Sequence, residues 1–145
     1  MKNFLATFLL FFSLASMGQN PVTWKATYKP ISATEGEITI VGTLENGWHT
    51  YSQRATDAGP IPTTIKFSPL AQYDLNGKTE ETGAHEEFVK AFDAKIFVFT
   101  GKAEFHQKIK VKGKGFTIPI TIEYTTCNDM MCQPPKTITL QVKVG

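Results

Sequence analysis

The sequence predicts an all-β fold, two antiparallel sheets packed face to face as a β-sandwich. Three observations carry that prediction. Six runs of six to nine residues are rich in β-branched and aromatic side chains, and several alternate apolar with polar, the period of a half-buried strand. Clusters of Gly, Pro, Asn and Asp separate these runs at short intervals. No segment carries an apolar stripe at helical spacing; the nearest candidate, Thr79 to Lys90, lacks one. About seven or more short strands in ~120 residues is the pattern of an immunoglobulin-like sandwich.

Ahead of the first strand, Lys2 gives a positive start, Phe4 to Ala15 is a nearly unbroken apolar run, and Ser16 to Gly18 set small residues at a cleavage site. This is the pattern of a secretory signal peptide over residues 1–18, cut between Gly18 and Gln19. The apolar run is too short to span a bilayer, which needs ~20 residues. No later segment approaches that length, and no cysteine stands near the cut to take a lipid anchor. Residues 19–145 are then expected to be one exported, periplasmic domain, with no membrane span.

Within that domain Trp24 to Tyr28 makes the first strand and "EITIVGTL" (Glu37 to Leu44) the second, followed by a turn at "ENG". "AGPIP" (residues 58–62) precedes a strand at "TTIKFS" (Thr63 to Ser68), and "NGK" (76–78) marks the next turn. "KIFVFTG" (Lys95 to Gly101) and "FHQKIKV" (Phe105 to Val111) follow. The turn "KGKG" (112–115) then leads into "FTIPITIEY" (Phe116 to Tyr124), and the chain closes with "TITLQVKV" (Thr137 to Val144). No repeats or low-complexity linkers appear. Without Lys2, the 15 basic residues become 14 against 13 acidic ones, a near-neutral surface that argues against a nucleic-acid partner.

The only two cysteines, Cys127 and Cys132, have four residues between them in "YTTCNDMMCQPPK". Export makes a disulfide the first reading. It has a structural and an exchangeable form. As a staple it is weak: a loop of about six residues is worth roughly 2 kcal/mol in the entropic account. A domain with 41% hydrophobic residues also buries an adequate core without it. Asn128 and Asp129 are turn formers, so the pair sits at the connection between the last two long strands. Pro134 and Pro135 cannot donate to a ladder, which puts it at a sheet edge, where a disulfide is open to an attacking thiolate. A third reading, a soft metal site adding Met130, Met131, His49 or His85, is the weakest. Zinc would need four ligands at set spacings, and adjacent methionines on an extended chain point opposite ways. No metal or organic cofactor is expected.

Two further pieces, "GWHTYS" (Gly47 to Ser52) and "GPIPTTIKF" (Gly59 to Phe67), together with the cysteine stretch, give the chain a family resemblance. Over roughly residues 24–144 it resembles the N-terminal domain of the thiol:disulfide interchange protein DsbD. The most specific piece is Tyr124 shortly before a close cysteine pair followed by Pro-Pro-Lys. The resemblance implies an immunoglobulin-like sandwich with the cysteine-bearing hairpin at one end. It also implies transfer of reducing equivalents in the periplasm, as a protein-disulfide reductase working by thiol–disulfide exchange.

Cys132 maps to the partner-facing sulfur, leaving Cys127 to resolve the mixed disulfide. "HEEFVK" (His85 to Lys90) is similar to the family's cap loop, with Phe88 as the shield and Glu87 beside it. Trp48, His49, Tyr51 and Tyr124 are carried over as site-lining residues. Trp48 and Tyr51 also read as core aromatics, and His49 as a surface histidine. His106, in a plain alternating strand, gets no role.

The implied partners are a thioredoxin-like electron donor and periplasmic disulfide-bearing acceptors, met transiently by a monomer. Two departures stand out. Four residues separate the cysteines where the best-known members have five. The family's membrane-embedded carrier and thioredoxin-like domain also do not follow in this sequence, so electrons are expected from a separate protein. The rival expectation is a non-catalytic secreted binding or adhesion sandwich whose disulfide pins a hairpin.

Overall fold

A computed structural model describes residues 20–54 and 56–145. The expected signal peptide over residues 1–18 lies outside the described residues.

Three long antiparallel ladders make the sandwich. β1 (Val22–Pro30) pairs along its whole length with β2 (Glu35–Leu44), and β2 pairs in turn with β9 (Lys102–Val111). β5 (Tyr73–Leu75) and β6 (Glu80–Thr82) pair with β9 at its free edge. The opposing sheet is β10 (Phe116–Tyr124) flanked by β4 (Thr64–Phe67) and β12 (Lys136–Val144). The order is that of an immunoglobulin-like β-sandwich, as the alternating runs predict.

The core follows from period two. On β10 the even-numbered residues Phe116, Ile118, Ile120, Ile122 and Tyr124 are all buried. They meet Ile38 and Ile40 of β2, and Phe105 and Ile109 of β9. Each such side chain, fully buried, contributes about 1.5–3 kcal/mol. Trp24 lies across from Gly42 in the β1–β2 ladder. A Cβ on that glycine would come within 2.7 Å of the indole, so the bare backbone is what lets the ring lie flat on β2.

Beyond the turn at residues 45–48, the β2–β9 pair continues into a further sheet, the second in chain order after that of β1 and β2. β3 (His49–Tyr51) pairs with β8 (Ala94–Thr100), and β8 with β7 (His85–Val89). Gly47, with φ +83°, makes the turn into β3, a conformation open to glycine and strained for other residues. β10 ends at Tyr124 and the chain steps into this second sheet as β11 (Thr126–Cys127), pairing with β3 at its edge. That step brings the cysteines to one end of the sandwich. Among the described residues no helix is long and apolar enough to cross a membrane.

One expectation is corrected here. "HEEFVK" is not a loop: residues 85–89 form β7, in register with β8 over five residue pairs, and a 3-10 turn (Lys90–Phe92) follows. Four of the five β7 residues are exposed, so no alternation announces the strand; it exists because β8 offers a free edge and Val89 is buried.

Candidate functional site

Cys127 and Cys132 are joined by a disulfide, their Cα atoms 4.0 Å apart. Their placement follows from the turn between them. The Asn128 N–H donates to the Met131 carbonyl at 2.8 Å, and the Gln133 N–H to the Thr126 carbonyl at 2.8 Å. Cys127 and Cys132 therefore face each other as a non-hydrogen-bonded pair, the position where antiparallel side chains stand closest. The Asn128 side-chain oxygen accepts from the N–H groups of both Met130 and Met131, at 2.9 and 2.8 Å. Asparagine favours turns because its side chain satisfies the backbone locally, and here it closes the four-residue connection.

The two sulfurs differ in their surroundings. Cys127 is 1% exposed, and packs with Tyr51, Val89, Ile96 and Val98 in a small cluster separate from the main core. Cys132 is exposed. An open cleft of about 680 Å³ lies in front of the pair, walled by His49, by Glu87, Phe88 and Lys90, and by the turn residues Asp129 to Met131. Phe88, Met130 and Met131 are exposed around it.

Behind the disulfide stands a hydrogen-bonded row. Cys127 pairs directly with His49 across the β3–β11 ladder, and Tyr51 sits on the same face two residues on. A diagonal neighbour on one sheet face is within reach of an aromatic side chain. The Tyr51 hydroxyl donates to Cys127 Sγ at 2.9 Å, and His49 Nε2 lies 3.2 Å from the same hydroxyl. Phe92 packs edge-on against Tyr51, with ring centroids 6.2 Å apart. Burial, reinforced by the nearby Glu87 charge, pushes the Tyr51 hydroxyl up to about 12. Burial also lowers the His49 imidazole below its ordinary value, while the charges of Glu87 and Asp129 pull it the other way.

The structure thus brings together Cys127, Cys132, His49, Tyr51, Glu87 and Phe88. It does not bring Trp48 or Tyr124. Trp48, next to His49 on the chain, points to the opposite face and is buried in the main core. Tyr124 ends the inward row of β10, its ring 5.2 Å from that of Trp24. Trp48 lies away from the cysteines because adjacent residues on a pleated strand face opposite ways, and Tyr124 because it belongs to the inward row of β10. Sequence reasoning missed Phe92, Val89 and Ile96 as the floor under Cys127, and Asp129 and Lys90 as cleft walls. Only Val89 and Ile96 left a signal, as apolar residues flanking a short turn.

Among the described residues no group of three or more His, Cys, Asp or Glu side chains is arranged to hold a metal ion.

The chain matches the family model described as "Thiol:disulfide interchange protein DsbD, N-terminal" over residues 20–143. No curated protein sequence matches it. Among solved structures it is similar to the DsbD N-terminal domain of Neisseria meningitidis in the reduced form, with a TM-score of 0.58 at 15% identity, covering 86% of each chain. It is similar also to the N-terminal periplasmic domain of ScsB from Proteus mirabilis, with a TM-score of 0.57 at 17% identity, over 83% of this chain and 44% of that one. A third likeness is to the complex of the DsbD and PilB N-terminal domains from Neisseria meningitidis, with a TM-score of 0.54 at 13% identity, over 81% of this chain and 80% of that one. A sandwich that carries a cysteine pair at its end, matched by the family model over nearly its whole length, belongs to the DsbD N-terminal domain family of thiol:disulfide interchange proteins.

Proposed function

We propose that this chain passes reducing equivalents to disulfide-bearing partner proteins in the periplasm, through reversible opening of the Cys127–Cys132 disulfide. The observation that carries the proposal is the asymmetry of the pair. Cys132 faces the cleft and solvent, whereas Cys127 is enclosed behind it. An incoming sulfur reaches Cys132 alone, so the mixed disulfide forms there and Cys127 resolves it. In the reduced chain the Cys132 thiolate attacks a partner's disulfide. Cys127 then attacks Cys132, the pair closes, and the partner leaves as a dithiol. Phe88, exposed on β7, serves as a lid that slows non-cognate oxidants, with Glu87 beside it. A relative of this fold in complex with a second domain supports a protein partner. The reading includes export by removal of residues 1–18 and electron supply from a separate thioredoxin-like protein.

The test is the reduction potential, measured by equilibrating the protein in dithiothreitol and glutathione buffers. A value well above about −300 mV marks an exchangeable pair. A value well below it rejects the relay and leaves a binding domain with a structural disulfide. A Cys127→Ser variant is also expected to hold a partner in a stable mixed disulfide through Cys132.

A further inference from the structure

Three polar atoms stand in line behind the disulfide: His49 Nε2, the Tyr51 hydroxyl and Cys127 Sγ, at successive separations of 3.2 and 2.9 Å. We infer that His49 is the proton acceptor for the Cys127 thiol, acting through the Tyr51 hydroxyl, so that the buried resolving sulfur is activated by the protein's own side chains. The inference rests on the exchange reading above and gives two of its residues a task in the resolving step.

The directions of the hydrogen bonds make the case. In the disulfide, Cys127 Sγ carries no proton and can only accept, so Tyr51 donates to it. That uses the hydroxyl's single proton. His49 Nε2 must then carry a hydrogen and donate it to the Tyr51 oxygen. In the reduced protein the row runs the other way, from the thiol S–H to the Tyr51 oxygen and from the Tyr51 O–H to an unprotonated Nε2. One proton shift along each bond leaves a Cys127 thiolate, an intact phenol and a His49 imidazolium. The hydrogen bonds of that ion pair have the same direction as those of the disulfide form, so the row is already oriented for the product of the step.

Tyr51 is the conduit and not the base. Its hydroxyl, pushed up to about 12, stays protonated at neutral pH. His49 is suited to accept. Burial disfavours its charged form, and Glu87 of β7 and Asp129 of the turn place negative charge toward it once it is protonated. Two other ionisable groups stand nearby: Lys90 on the cleft wall, and His85, whose Nε2 is 3.3 Å from Glu87 Oε2.

The step balances as follows. The Cys127 thiolate attacks Cys132 Sγ in the mixed disulfide; the Cys127–Cys132 bond forms and the bond from Cys132 to the partner sulfur breaks. The partner sulfur leaves as a thiolate, and the His49 imidazolium returns a proton to it through water from Nδ1, keeping on Nε2 the hydrogen that the disulfide form requires. Two electrons pass from the cysteine pair, which is oxidised, to the partner's disulfide, which is reduced.

The experiment follows the fully reduced protein reacting with a chromogenic aromatic disulfide, dithiobis-nitrobenzoate. The first coloured thiol is released by attack from Cys132, the second by attack from Cys127. In His49→Gln the second phase is expected to slow about 100-fold near neutral pH, within the range of general-base catalysis. Its rise with pH should move from below about 6.5 up to the ordinary thiol range near 8.5 or above. Tyr51→Phe should do the same, and the double variant should be no slower than Tyr51→Phe alone, because the two residues act in series. Tyr51→Phe keeps the ring and its packing, so it carries the test even if His49→Gln disturbs the edge of β3.

A second phase whose rate and pH profile are unchanged in both variants overturns the relay while leaving disulfide exchange intact. A wild-type protein that releases only one coloured thiol overturns both.

Discussion

The sandwich core and the small cluster beneath the disulfide draw on similar residues and are closed in opposite ways. In the core, Ile38, Ile40, Phe105, Ile109, Ile118, Ile120 and Ile122 are each fully buried between two long ladders. In the cluster, Tyr51, Val89, Ile96, Val98 and Cys127 are nearly as buried, but on strands of two to seven residues. A polar row leads out of it from Cys127 to His49 at the cleft. The core keeps its polar atoms inside: Trp24 Nε1 and the Tyr124 hydroxyl are both buried there, the two rings 5.2 Å apart. The cluster routes its polar atoms toward the sulfur. Stability therefore resides in one region and chemistry in the other, and each should be open to damage alone.

The strongest separation is expected from Phe105→Ala. Phe105 is fully buried, with its ring 5.3 Å from Phe99 and 6.2 Å from Trp24. Its loss should destabilise the domain by about 4 kcal/mol through lost burial and a residual cavity. Urea unfolding checks this, and the protein that remains folded should exchange disulfides at the wild-type rate. Opening the disulfide by Cys127→Ser with Cys132→Ser is expected to remove exchange entirely. It should lower stability by only about 2 kcal/mol, since the closed loop is short. A loss as large as that from Phe105→Ala would make the disulfide a structural element and erase the comparison. Phe88→Ala is the mildest: the side chain is 57% exposed, so stability should shift by no more than about 0.5 kcal/mol. The rate at which small oxidants close the reduced pair should nonetheless rise several-fold. An unchanged rate would remove Phe88 as a lid.

The same contrast explains what was legible in the sequence. Strands β1, β2, β9, β10 and β12 are nine or ten residues long and alternate, so each announces itself. Apart from β8, which the run at Lys95 to Gly101 announces, the strands that build the site are too short to show a period. β3 has three residues and β11 two, and they form only because the long ladders deliver them side by side. β7 reads as a polar loop because its partner β8, and not its composition, makes it a strand. The cysteine turn was legible from Asn128 and Asp129, whose chemistry is local. Trp48 and Tyr124 entered the site from the family resemblance alone, which carries a motif's residues without saying which face of the strand each takes. On a pleated strand the next residue faces away, which is why His49 and Tyr51 reach Cys127 while Trp48 does not.

Asn128 adds one consequence for the redox cycle. Its side-chain oxygen holds the N–H groups of Met130 and Met131, and its own N–H is held by the Met131 carbonyl. None of these bonds involves sulfur, so none of them is broken when the disulfide opens. On the proposed exchange, the step would then move two sulfur atoms and a few protons, with the backbone as a fixed jig. In the exchange proposed above, that fixed backbone would present a partner with the same turn before and after its disulfide is reduced.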